Sequence, residues 1–312
     1  MIASPGRASR WAIALCALAT LSLSQPAGAA LLDYEYGGAL AQLGRLRMLV
    51  ERLSKQNVLY QLHLAGQSKI ELIDTASKIQ ETLDLLHAGR PLMVVPEPPT
   101  EEIRKQLRQI DAAWVPVQRM ARASPFEYLR RSREFIDPKD DRGDPLMILY
   151  FDDLALQVVL EADRTSELYI KECKREGWER CEFAGVAGIP GMLVERIMKE
   201  ALLVFAGLES EKNQGRLAAT RKELDAKLEL TGGSSVLKGA ISSARGKNGE
   251  AAAALWKDIE AAWRRLGNEL EFVARGQAEE RNLQQAASVQ VLLVADMQRL
   301  AVELYQHTEE GG

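Results

Sequence analysis

Gly44-Arg45-Leu46-Arg47-Met48-Leu49-Val50-Glu51-Arg52 comes back, in most of its letters, as Gly188-Ile189-Pro190-Gly191-Met192-Leu193-Val194-Glu195-Arg196. Met-Leu-Val-Glu-Arg is intact in both copies, which stand 144 residues apart counted from Met48 to Met192. A second pair follows in the same order: Ile110-Asp111-Ala112-Ala113-Trp114 is echoed by Ile259-Glu260-Ala261-Ala262-Trp263. Two matching blocks in one order point to an internal duplication, so whatever fold the first half has, the second half should repeat.

That fold reads as helical. Leu40, Leu43, Leu46, Val50, Leu53, Tyr60 and Leu64 recur at steps of three and four and mark one face of a long helix from about Leu32 to Ala65, with Arg47 beside that face. Ile70 to Leu86 continues as a second amphipathic helix up to Gly89, and the four prolines between Pro91 and Pro99 make a connection that cannot be helical. Thr100 caps a third helix with Glu101 and Glu102 in its first turn. Ser124-Pro125-Phe126-Glu127 predicts a short extra helix to about Phe135, and Asp144-Pro145 starts the next long one, running to about Cys173. In the second half, Pro190 opens a helix, Leu217, Leu224 and Leu228 mark another, and a third begins near Glu250. The last should end before the tail Thr308 to Gly312. Four main helices per half, with no strand pattern, predict an all-α chain of two tandem antiparallel four-helix bundles, residues 30–176 and 177–312, with Trp114 and Trp263 in equivalent core positions.

Residues 1–29 read as an export signal. Arg7 and Arg10 precede an apolar run from Trp11 to Leu23, and Ala27-Gly28-Ala29 is a small-x-small cleavage site, with cleavage expected after Ala29. The expected location is the periplasm. Losing the two arginines moves the net charge from −4 to −6, which argues against a nucleic-acid binder, because such proteins present a broad basic surface. Of the three cysteines, Cys16 leaves with the signal. Cys173 and Cys181 then read as a short-loop disulfide in an oxidising compartment.

The chain lacks a Gly-x-Ser-x-Gly elbow, a His-Glu-x-x-His, a Walker loop and a dinucleotide fingerprint, so no enzyme, metal site or cofactor is expected. His63, His87 and His307 are scattered, and acidic pairs such as Asp152-Asp153 read as solvated helix faces.

Ala41 to Leu53 resembles the signature helix of PilJ and NarX-type sensory domains, close to Ala-Gly-x-x-Arg-Met-x-Ser-x-Arg-Leu, with Gly44, Arg47, Met48, Arg52 and Leu53 at matching positions. The resemblance implies a ligand-sensing module of bacterial envelope receptors. In the NarX-type branch the arginine matching Arg47 binds nitrate or nitrite where two first helices meet across a dimer. On that reading Arg47, Met48 and Arg52 form the ligand-binding set, and Gly191, Met192 and Arg196 are their second-copy equivalents. The physical basis is that a small planar anion accepts hydrogen bonds from guanidinium forks. Val50 and Glu51 depart from the family pattern, and Glu51 with Arg47 and Lys55 forms an i, i+4 ladder of the kind found on helix surfaces.

Two arrangements are open. The halves can pack as an internal pseudo-dimer with Arg47 opposite Gly191, or two chains can form a homodimer, first helix to first helix, with a pair of Arg47 side chains. No receptor-type output segment follows the bundles, so the signal is expected to pass to a separate membrane receptor or chemotaxis-type transducer. The alternative from another class is an envelope assembly protein, linked to pili or a chemotaxis array, whose helices are a docking surface.

Overall fold

In the computed structural model, residues 31, 33–64, 69–123, 144–178, 181, 185, 188–228 and 246–310 are described. Eight α-helices carry these residues: α1 (Asp33–Gln61), α2 (Lys69–Ala88), α3 (Glu101–Arg122), α4 (Pro145–Arg175), α5 (Ile189–Phe205), α6 (Ser210–Leu228), α7 (Gly246–Ala274) and α8 (Glu280–Glu310). Among the described residues there is no strand, only an isolated antiparallel bridge between Arg90 and Val95. The chain is all-α, as the periodicity predicts.

The caps are those the sequence encodes. The Thr100 side chain accepts a hydrogen bond from the Ile103 amide at 3.2 Å, and Asp144 accepts from the Leu146 amide at 2.9 Å with Pro145 in the first turn. The proline-rich connection differs from expectation in one detail: Pro91–Met93 is a single 3₁₀ turn, closed by the Arg90–Val95 bridge. A turn of this kind needs only i to i+3 bonds and tolerates proline at its start. The last helix also runs further than expected, through Thr308 to Glu310. The predicted short helix from Ser124 to Phe135 lies outside the described residues.

In the first half the helices close a ring: α1 packs on α2, α2 on α3, α3 on α4, and α4 back on α1. In the second half α5 packs on α6 and on α8, and α7 packs on α8. Trp114 and Trp263 take matching places on α3 and α7. Each is buried, and each indole N–H donates to a polar side chain on the preceding helix, Trp114 to Gln80 at 3.0 Å and Trp263 to Asp225 at 2.8 Å.

The two sets of helices form one body, Asp33 to Gly312, because α1 lies directly on α5. A Cβ added at Gly188 would stand 2.8 Å from Gly44 Cα, and one at Gly44 would stand 3.2 Å from Gly188 Cα. Only glycine at both positions allows the backbones so near. The consequence for burial is large. From Pro190 to Val204 every residue of α5 except the half-buried Arg196 is buried, and on α1 even Arg47, Glu51, Ser54, Lys55 and Asn57 are withdrawn from solvent.

Candidate functional site

Where α1 crosses α5, the repeated letters face one another. Arg52 Nε lies 2.8 Å from Glu195 Oε1, and Arg196 Nε lies 2.7 Å from Glu51 Oε1. Lys55 Nζ is 2.7 Å from Glu195 Oε2, and Lys199 Nζ is 2.7 Å from Glu51 Oε2. Every one of these contacts maps onto another when residue numbers are shifted by the spacing of the two copies. That is the logic of a self-complementary two-fold interface, here inside one chain. Lys55 and Lys199 extend the repeat by one more turn, a match that sequence reading missed. The signal was present: both lysines stand seven residues after the methionine of their copy.

Glu51 is thus not part of a surface ladder with Arg47 and Lys55, and that expectation is corrected. It is buried and spends both oxygens on α5. Asp152 is likewise not a solvated residue. It lies buried on α4, where it accepts from Ser54 Oγ at 3.0 Å and pairs with Lys199 at 2.6 Å and Arg216 at 3.1 Å. Both errors have one cause: Glu51 on α1 and Asp152 on α4 turn toward α5, so these carboxylates face protein rather than water.

Burial alone would drive these groups toward neutrality, and their partners reverse that. Desolvation pushes the Asp152 carboxyl up, but Lys199 and Arg216 outweigh it and hold the pKa at about 2. Glu195 shows the same balance, with burial overcome by Lys55 and then Arg52, and its pKa is lowered. Lys199 is kept charged against desolvation by Asp152 and Glu51. Glu200, one residue on, goes the other way: burial dominates, Lys199 and Arg216 offset it only in part, and its pKa rises to about 7. Its Oε2 is buried without a hydrogen-bond partner.

Arg47 sits one turn before this cluster and leans away from α5. Its Nη1 is 2.5 Å from Asp163 Oδ1 on α4, its Nη2 donates to the Gly185 carbonyl at 3.4 Å, and its Nε is buried without a partner. The Arg47 side chain is 5% exposed and that of Asp163 42% exposed, so a buried cation is held by a counter-ion that faces water. Gly191 lies near Met48 instead, with Met48 Sδ 3.8 Å from the position of an added Cβ. Met48 Sδ also accepts from Gln298 Nε2 at 2.9 Å, and Met192 Sδ from Arg196 Nη2 at 3.7 Å. Of the sequence-predicted set, then, Met48, Arg52, Gly191, Met192 and Arg196 meet in the α1–α5 crossing, and Arg47 stands beside it.

Cys173 and Cys181 form a disulfide, which ties the end of α4 to the chain leading into α5. Among the described residues no group of histidine, cysteine and acidic side chains has the grouping of a metal site, and no helix is long and apolar enough to cross a membrane.

Fold and site together define a helical module built on two crossing central helices joined by reciprocal ion pairs. Residues 36–127, which take in most of α1 and all of α2 and α3, match the PilJ family, described as the type IV pili methyl-accepting chemotaxis transducer N-terminal domain. Over this stretch, under a third of the chain, the protein is similar to that family of transducer domains. The match stops before α4 and does not reach the second half. No curated protein and no solved structure matches the chain.

Proposed function

We propose that this protein is a non-catalytic sensory module of the periplasm, in which one chain carries two PilJ/NarX-like bundles and uses α1 against α5 as a built-in receptor-type dimer interface. The observation that carries this reading is the reciprocal pairing of Arg52 with Glu195 and Arg196 with Glu51. A charged, reciprocally paired interface fixes register between two helices, and a small shift of one helix must then move the other.

The input is a small anion such as nitrate or nitrite at Arg47. Arg47 offers one guanidinium, with Gly191 at the matching place of the second copy. An incoming anion therefore competes with the Asp163 carboxylate, which faces water and is readily solvated when released. Displacing Asp163 frees α4 from α1 next to the crossing, and the change passes to a membrane receptor or chemotaxis-type transducer.

Calorimetric titration of nitrate and nitrite into the purified protein tests this. Asp163→Asn, which removes the competing charge, should bind more tightly than wild type by about tenfold, and Arg47→Ala should give no heat. Absence of binding in both wild type and Asp163→Asn would refute the anion reading.

A further inference from the structure

The two halves of the charged crossing differ at one place. On one side Lys199 Nζ lies between two carboxylates, Glu51 at 2.7 Å and Asp152 at 2.6 Å. On the other, Lys55 Nζ lies between the Glu195 carboxylate and the Gln290 amide oxygen, each at 2.7 Å. Gln290 on α8 takes the place that Asp152 holds on α4, so an amide stands where the sister site has an anion. Arg52 and Lys55 share the single charge of Glu195, whereas Lys199 meets the charges of both Glu51 and Asp152, the second shared with Arg216.

The molecule is open at this point. A small cleft of about 50 Å³ lies among the end of α1, α5 and the start of α8. Lys55, 9% exposed, and Gln290, 2% exposed, line it together with Leu59, Met198, Leu202 and Leu283. Glu280 and Gln284, both exposed, also border the cleft, with Gln284 Nε2 donating to Glu280 Oε1 at 3.2 Å.

We infer that this cleft is a binding site for a small aliphatic monocarboxylate, whose head group supplies at Lys55 the second negative charge that Asp152 supplies at Lys199. The carboxylate takes a charge-assisted hydrogen bond from the Lys55 ammonium, with the Gln290 amide beside it as a second polar group. The hydrocarbon chain lies along Leu59, Met198, Leu202 and Leu283, where its burial favours binding. Glu280 disfavours a second acidic group further along the ligand, which selects monocarboxylates over dicarboxylates. The site is distinct from Arg47 and does not depend on anion binding there.

Hexanoate is a suitable probe, with 1-hexanol as its neutral counterpart, each titrated calorimetrically into the purified protein. Hexanoate should bind at least about tenfold more tightly than hexanol. Gln290→Asp supplies the missing charge from within the protein. It should weaken hexanoate binding about tenfold or more while leaving the thermal midpoint no lower than that of wild type, so that loss of binding is not loss of fold. Saturating nitrate should leave hexanoate affinity unchanged, which separates this site from Arg47. Equal affinity for hexanoate and hexanol, undiminished hexanoate binding in Gln290→Asp, competition by nitrate, or no binding by wild type would each overturn the inference.

Discussion

Gly188 rests against Gly44 so closely that a Cβ on the first would come within 2.8 Å of the second's Cα. The obstacle is backbone on both sides and cannot rotate away. Gly188→Ala should therefore separate α1 from α5 and cost about 1–3 kcal/mol, the usual range for overpacking. Gly44→Ala, with 3.2 Å available, should cost less. Gly191→Ala meets only Met48 Sδ at 3.8 Å and should be neutral or stabilising by up to about 1 kcal/mol, because alanine is the better helix former. Chemical denaturation of the three variants should rank them in that order.

Unequal partners make the two central glutamates unequal in effect. Glu195→Gln leaves the buried Lys55 and the partly exposed Arg52 without this carboxylate, and a loss of about 3 kcal/mol is expected, mostly for stranding Lys55. Glu51→Gln leaves Lys199 still paired with Asp152 and should cost less. Equal losses in urea unfolding would show that the charge difference between the two sides has no energetic weight.

Glu200 gives a pH dependence of definite sign. Its carboxyl is raised from 4.5 to about 7 in the folded protein, so between those values the native state binds more protons than the unfolded state. The native state is favoured below pH 4.5, and this advantage is lost as pH rises through 7, by about 3 kcal/mol in all. Glu200→Gln removes the titration. The variant should be more stable than wild type at pH 8 by up to that amount and should lose the advantage near pH 4.5, as read from unfolding curves at each pH.

The Cys173–Cys181 bridge closes a short loop ahead of α5. Thiol titration of the native protein under non-reducing conditions should find neither thiol free. Cys173→Ser with Cys181→Ser should lower stability by about 2–3 kcal/mol through the added freedom of the unfolded chain.

Much of the fold was legible because its determinants are local. The Thr100 and Asp144 caps, the Pro145 start and the leucine spacing of α1 each act within a turn or two of helix, and each element formed where its letters indicate. The repeated pentapeptide also marks the two helices, α1 and α5, that meet at the centre. What the sequence does not display is which helices become interior. Glu51 and Lys55 read as a surface ladder because i, i+4 spacing is the same for exposed and buried helices, and only the packing of α5 on α1 turns both side chains toward a partner from the other half. Asp152 was misjudged for the same reason, since its partners Lys199 and Arg216 lie more than forty residues away in the chain. The Arg47–Asp163 pair likewise depends on α4 returning to α1, which no local pattern specifies.

The account rests on α1 and α5 pairing within one chain through reciprocal charges, and a double-mutant cycle on Glu51 and Arg196 reads this directly. With Glu51→Gln, Arg196→Gln and the double variant unfolded over a range of protein concentrations, a coupling energy of about 1–3 kcal/mol is expected, together with midpoints that do not change with concentration. Coupling below about 0.5 kcal/mol, or midpoints that climb as protein concentration rises, would contradict it.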